Sequence, residues 1–335
     1  MAEAIPPGWS ESASPFHKGS RALQAHLGVE DKLDAIGRRS VRAYLTEQHR
    51  EFFAQLPFVL VGSVDDSGQP WASMLCAPPG FVSAPTTTSL QIDARVHSDD
   101  PLAQNLRIGA PLGLLGIELP TRRRNRANGR VAAVSADGFV LNVAQAFGNC
   151  PKYIQARTHR FEEAAPAPGR AQRSDSLTPA AMALIAAADT CFIATAFAGE
   201  QSDASDAGVE VSHRGGKPGF VHSDDAHTLL MPDFVGNFHF RTLGNLLLHP
   251  HAGLLFLDFT HGDLLYVAAD VEIVWAGPSV NRFVGAERVL KFRVRSAVHI
   301  PQATPLRFSE PTYSPFLERM GSWTAVDKDG GSERL

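Results

Sequence analysis

Short apolar runs bounded by turn residues dominate the chain. FVLVGSV (58–64), QPWASML (69–75), GFVSA (80–84) and TSLQID (88–93) follow one another in the first half. CFIATAF (191–197), GVEVSH (208–213), GFVHS (219–223) and HTLLM (227–231) follow in the second, then GLLFLDF (253–259) and LLYVAADVEIVW (264–275). Runs of this length with turn signals between them predict the strands of a barrel rather than βαβ units. A helix is predicted ahead of each set, over Lys32 to Gln55 and over Thr178 to Ala188. Thr178 suits an N-cap, with Ser176 as a second candidate, and Pro179 suits a first helical turn. FHFRTLGNLLLHP (238–250) reads as a short helix ended by Pro250. The expected class is mainly β with short helices (α+β).

The order of these runs repeats because the residues repeat. Pro79-Gly80-Phe81-Val82 recurs as Pro218-Gly219-Phe220-Val221, 139 positions on. LQID (90–93) matches LLMP (229–232) at the same offset, while Asn105-Leu106 matches Asn245-Leu246 and Gly113-Leu114-Leu115 matches Gly253-Leu254-Leu255 at 140. LPFVLVGSV (56–64) pairs with ADTCFIATA (188–196) at 132. The polar segment GEQSDASDAG (199–208) can hold the implied insertion. A repeat this long is a duplicated domain, not a solenoid period. The expected organisation is an N-terminal arm (1–31), a first half (32–162), a linker rich in Ala, Pro and charge (163–177), a second half (178–310) and a tail (311–335) whose last ten residues should fray.

Composition narrows the class. With 335 residues, 44% hydrophobic and 20% charged, the chain fits two ordinary globular domains. The formal charge of −4 gives no reason to expect a nucleic-acid partner. No stretch approaches the apolar length of a membrane span, and the N-terminus lacks the basic start and apolar core of a secretory signal. Cys76, Cys150 and Cys191 are far apart and form no metal-type pairs, so a reducing cytoplasmic compartment is expected. The thirteen histidines are scattered, and no metal site is expected.

The densest polar cluster is Ser212-His213-Arg214-Gly215-Gly216-Lys217 after a strand, with Pro232-Asp233-Phe234-Val235-Gly236-Asn237 ahead of the short helix. A strand-end Ser/His/Arg group facing a helix N-terminus suits an anion. The same residues also suit a Gly-rich hairpin with solvated charges. Arg122 to Arg130 carries five arginines in nine residues, with Asn128-Gly129 reading as a hairpin turn. Either this is a solvated basic hairpin, or Arg124 and Arg126, on one face of a strand, meet a polyanion. Cys150 beside Lys152 is either an activated thiol or a packing residue. His249 and His251 read as a helix terminus. No Walker or Rossmann glycine pattern is present.

VSHRGGKPGFV (211–221), LLMPDFVGNFHFRTLGNLLLHPHAGLLFLDF (229–259), RRRNRANGRV (122–131) and FGNCPKYIQAR (147–157) resemble the FMN-binding split barrels related to pyridoxamine 5′-phosphate oxidase. More narrowly they resemble a duplicated group of flavin-nucleotide-binding proteins, over roughly residues 45 to 310. The resemblance implies two tandem split β-barrels. It places the oxidase's Ser-Arg-Lys phosphate triplet on Phe240, Arg241 and Thr242, with the strand contribution near Ser212, His213, Arg214 and Lys217. It puts Asp233 and Asn237 by the ring system. Asn245 is either a cofactor contact or a structural tie from helix to strand. Arg124, Arg126, Lys152 and Arg157 are implied to line the flavin from the first half, as one subunit of a dimer completes the other's site. In that half the helix start reads DARVHSDDPLAQN (93–105), and Asp99 and Asp100 would repel a phosphate, so its own site is expected to be degenerate.

The function implied is an FMN-dependent oxidoreductase, FAD being less suited. Hydride or electron transfer would occur at the isoalloxazine ring on a small molecule. NAD(P)H or a separate electron-donor protein would supply electrons, and a homodimer is compatible. A flavin carrier or sensor without turnover, and a haem-binding split barrel, stand as alternatives. Activity on pyridoxamine phosphate is not expected, because the context of Arg307 differs from the oxidase's C-terminal substrate segment.

Overall fold

A computed structural model describes residues 8–197 and 208–323. Residues 199–207 of the expected insertion and the terminal VDKDGGSERL lie outside the described residues. The chain is mainly β, with short helices.

α1 (Lys18–His26) lies in the N-terminal arm, and the first half opens on α2 (Glu30–Ser40) and α3 (Glu47–Ala54). The single helix expected over 32–55 is therefore two. Val41 turns extended and the backbone of Arg42 pairs with Ala146 in both directions. Leu45 then donates to Thr87, and Thr46 starts the next helix by accepting from the His49 amide at 3.2 Å. The intervening segment thus satisfies its backbone on the sheet.

β1 (Phe58–Val64), β2 (Pro70–Cys76), β3 (Val82–Thr86), β4 (Ser89–Ile92), β5 (Pro111–Glu118), β6 (Arg123–Ser135) and β7 (Gly138–Gly148) form one sheet, in the order β2-β1-β5-β6-β7-β4-β3. A one-turn helix, α4 (Leu102–Asn105), precedes β5. β8 (His159–Phe161) and β9 (Gln172–Ser174) lead to α5 (Pro179–Ala187), whose Thr178 caps the Ala181 amide at 3.2 Å as its sequence predicts. β10 (Thr190–Phe197), β11 (Gly208–Gly215), β12 (His222–Asp225), β13 (Thr228–Asp233), β14 (His251–Leu257), β15 (Leu264–Val274) and β16 (Arg288–Ile300) form the second sheet. Its order is β11-β10-β14-β15-β16-β13-β12, the first sheet's order strand for strand, with β9 added on β16. Neither sheet closes on itself. α6 (Arg241–Leu248) stands before β14 as α4 stands before β5, and α7 (Pro278–Asn281) precedes β16. β17 (Leu306–Phe308) reaches back to pair with β8.

The sheets meet backbone to backbone. A Cβ on Gly113 would lie 2.2 Å from Val209 O, and one on Gly253 would lie 2.3 Å from Pro70 O. Both contacts exclude any side chain. Around them Phe58, Leu60, Leu115 and Ile117 of the first sheet share one apolar cluster with Phe192, Leu255, Leu257 and Tyr266 of the second.

Asn128-Gly129 is not a turn. It lies within β6, where the pairing with β7 slips by one residue. A Cβ on Gly129 would meet Asn142 O at 1.8 Å. The glycine marks a bulge with close backbone approach. The hairpin turns instead at Leu119–Arg122, where Arg122 takes φ 60.

Candidate functional site

A cleft enclosing about 990 Å³, open solvent at its mouth included, lies between the sheets. Strand alternation supplies two of its walls. β6 offers Arg124 and Arg126 from the first half, and β11 offers Ser212 and Arg214 from the second. The segment after β7 adds Asn149, Cys150, Lys152 and Tyr153, and the loop from β13 into α6 adds Asp233, Asn237, His239, Arg241 and Thr242. Of the thirteen residues expected at the site, ten line this cleft. It follows that Arg124 and Arg126 face a shared cavity, not solvent.

Behind the lining arginines Arg126 and Arg241 sits Glu210, 1% exposed. Its carboxylate takes Arg126 Nη1 in a very close contact, Asn128 Nδ2 at 2.9 Å and Arg241 Nη1 at 3.0 Å. Arg126 also donates to Ser212 Oγ, which shares a hydrogen bond of 2.9 Å with Thr242 Oγ1. Arg241 is held further by Gln145 Oε1 at 2.9 Å and Pro15 O at 3.1 Å. Its guanidinium lies 4.4 Å from the Phe147 ring centre and 5.5 Å from that of Phe16. Two halves and the N-terminal arm thus converge on one arginine.

Toward the mouth, Asp233 bridges Arg214 at 3.1 Å and Arg288 at 2.8 Å, and Arg288 also holds Glu287 at 2.8 Å. Arg124 donates from Nε to Cys150 O at 2.7 Å and forms no ion pair among the described residues. Arg124, Arg126, Lys152, Arg214, Arg241 and Arg288 therefore face three carboxylates, Glu210, Asp233 and Glu287, an excess of three positive charges. Burial lowers Arg241 to about 9 and Arg124 to about 10, so both stay charged at neutral pH. Burial, then Arg124, Arg241 and Arg214, pull Arg126 further down. Its direct contact with Glu210 opposes that pull and retains the ion pair. His239 is held at about 3 by burial and by Arg241 and Arg126, and His213 is pushed well down by burial, so both rings are neutral. Arg126 Nε, Arg214 Nε, Arg241 Nε and His213 Nε2 are buried with no hydrogen-bond partner. The three guanidinium donors among these, around excess positive charge, suit an anion.

The rim is aromatic and conformationally unusual. Tyr153, Phe238 and Phe240 take φ 63, 59 and 51, a region that side chains rarely adopt. Tyr153 OH donates to Val235 O at 3.1 Å, and its ring packs on Phe234 at 5.1 Å. Lys152 lies 5.4 Å over Phe316.

Three expected site residues lie elsewhere. Arg157 pairs with Asp189 at 2.6 Å and stacks on Phe259 at 4.0 Å. Lys217 donates to Met320 O at 2.9 Å. Asn245, wholly buried, donates to Thr195 Oγ1 at 3.1 Å, the structural tie from helix to strand. Asp99 and Asp100 do not front an open site either: Asp99 pairs with Arg173 at 3.0 Å and Asp100 is buried. Cys150 lines the cleft, Cys76 lies 3.1 Å from Thr304, and burial pushes Cys191 up to about 12. Arg307, remote from the cleft, pairs with Glu162 at 2.8 Å. Glu210, Asn128, Gln145 and His239 were not anticipated. Period-two reading of GVEVSHR would have flagged Glu210, which shares a strand face with Ser212 and Arg214.

No helix among the described residues is long and apolar enough to cross a membrane. Nor do the described residues group three or more His, Cys, Asp or Glu to hold a metal. No curated protein matches the chain. Among solved structures, HupZ from Group A Streptococcus is 14% identical, covering 35% of this chain and 89% of its own, with a TM-score of 0.27. An FMN-binding protein from Syntrophomonas wolfei is 13% identical, covering 35% and 82%, with a TM-score of 0.27. Likeness at that level carries no functional reading. Residues 45–171, the whole first sheet and its flanks, match the family model of pyridoxamine 5′-phosphate oxidase.

Proposed function

We propose that the chain is an FMN-binding flavoprotein of two tandem split barrels, and an oxidoreductase. One observation carries the reading: Arg124, Arg126, Arg241, Ser212 and Thr242 converge from both sheets on one cleft with excess positive charge. The residues fit a phosphate monoester joined to a flat ring. Hydroxyls and forked guanidiniums line the same cleft as Tyr153, Phe234 and Asn237. The match of 45–171 to the oxidase family supports the flavin, and the equal strand order of the sheets supports the duplication.

Bound there, the flavin would supply hydride or electron transfer at its isoalloxazine ring. This chain's residues would bind and orient it. Arg124, Arg126 and Arg241 hold the phosphate, Glu210 fixes two of those arginines, and the aromatic rim limits water. Because both walls belong to one chain, a site does not require a second copy. NAD(P)H or a separate donor protein remains the proposed electron source, and a small molecule the substrate. A carrier without turnover is the second reading: Asp233 and Glu287, the two carboxylates that line the cleft, are both ion-paired.

Titration of the purified protein with FMN, followed by flavin fluorescence, tests the binding. Saturable quenching is expected, and its absence at micromolar protein would sink the reading. A Soret band on adding haem, without flavin binding, would replace it. Anaerobic addition of NADH or NADPH to the loaded protein, then oxygen, separates enzyme from carrier.

A further inference from the structure

The internal repeat predicts a second place equivalent to the cleft, and the register locates it. Across β1, β5 and β6, Leu60, Leu115 and Arg126 lie in one row; across β10, β14 and β15, the same row reads Phe192, Leu255, Tyr266. Ser73 opposite Val61 corresponds to Ser212 opposite Ile193. The helix starts dock alike: Asn105 donates to Ser63 Oγ at 2.9 Å, as Asn245 donates to Thr195 Oγ1 at 3.1 Å. Tyr266 thus stands where Arg126 stands, Ser73 where Ser212 stands, and Asp100 at the helix start that corresponds to Phe240 and Arg241.

Those three side chains fill the place. Ser73 Oγ donates to Asp100 Oδ1, the Tyr266 hydroxyl donates to Asp100 Oδ2 at 2.8 Å, and the Leu102 amide donates to Oδ1 at 2.8 Å. Ser73 is 0%, Tyr266 1% and Asp100 3% exposed. Every oxygen of the carboxylate is engaged, unlike the orphaned guanidinium nitrogens of the cleft. The network also crosses between sheets, Ser73 and Asp100 from the first half and Tyr266 from the second.

We infer that the chain takes a single ligand, and that the counterpart of its cleft has become a lock in which Tyr266, Asp100 and Ser73 bind the two sheets to each other. Repulsion by Asp99 and Asp100, the expectation from sequence, is not the reason the first half lacks a site. The place is filled with a satisfied polar network. The ligand count rests on the flavin reading; the lock does not.

Two measurements on the full chain test this. Equilibrium titration with FMN should give one equivalent per chain, and two equivalents would overturn the single-site inference. Zero equivalents would instead remove the flavin reading, leaving the lock to be judged by melting. Tyr266→Phe strips Asp100 Oδ2 of its donor and should lower Tm by on the order of 5 °C, with FMN affinity within about twofold of wild type. Asp100→Asn, which keeps the shape, should fall between. An unchanged Tm in Tyr266→Phe would overturn the lock, and a Tyr266→Phe protein with tenfold weaker FMN binding would place Tyr266 in the ligand site instead.

Discussion

Arg241→Ala is the sharpest test of the cleft, because the structure says what else the change disturbs. A charge-assisted hydrogen bond to a phosphate is worth about 1.5–3 kcal/mol, so its loss should weaken FMN about 10- to 150-fold. The same truncation removes a donor to Pro15 O and Gln145 Oε1, both buried, and one of three donors to Glu210. Pro15 O keeps its Gln145 Nε2 donor at 3.3 Å and Glu210 keeps Arg126 and Asn128. The cost is that of the lost bonds, about 0.5–3 kcal/mol each, and the ligand-free protein should also melt lower. Arg124→Ala separates the two effects. Arg124 is half-buried, has no acid partner among the described residues, and makes one hydrogen bond to Cys150 O. Its loss should weaken FMN by a similar factor while leaving Tm within about 2 °C, since less than 1 kcal/mol of fold stability is at stake. Fluorescence titration gives Kd, and circular dichroism melting of the free protein gives stability. If both variants bind FMN within twofold of wild type, the phosphate does not sit among these arginines.

Other consequences follow from the same geometry. Glu210→Gln removes the one carboxylate between Arg126 and Arg241; anion affinity should rise several-fold while the free protein loses about 3–5 kcal/mol, read as a larger ligand-induced Tm shift, and weaker binding would show that Glu210 acts by aiming the arginines. Gly129→Ala forces a Cβ to 1.8 Å from Asn142 O and should lower stability by several kcal/mol, a cost that urea titration would register and that a hairpin-turn glycine would not show. The pH dependence is set by buried histidines: His17 and His239 are held at about 3 and His49 at about 4, chiefly by burial. Their folded values lie below the unfolded one of about 6.5, so unfolding takes up protons as pH falls through that value. Stability should be full above pH 7 and decline toward pH 5, by on the order of 1 kcal/mol per pH unit per histidine. Urea midpoints flat between pH 7 and 5 would contradict this.

Local rules carried much of the sequence reading. Thr178 before Pro179 caps a helix as written, and the helix starting at Arg241 ends at Leu248, ahead of Pro250. The matched runs of the two halves fall on strands, helices and loops at equivalent places in the two sheets' order. What was missed depends on partners distant in sequence. The break at Val41 exists because Arg42 finds Ala146, about a hundred residues on. Asn128-Gly129 carries a strong hairpin signal, but the strand register spends that glycine on a bulge. Glu210 reads as an ordinary polar strand residue until Arg126 and Arg241 are brought to it. Arg157 belongs to a segment that does line the cleft, yet Asp189 draws it away.

The hydrogen bond from Arg241 to Pro15 O spans 226 residues. At ribosomal rates of about 5–20 residues per second, the carbonyl waits on the order of 10–50 s before its guanidinium partner is made. Phe16, which packs on His239 and Arg241, must pass that interval without those partners, whereas Trp9 packs on Val41 and Phe147, made much earlier. The cleft is accordingly among the last features to mature, and a ligand present early in synthesis would meet half a wall.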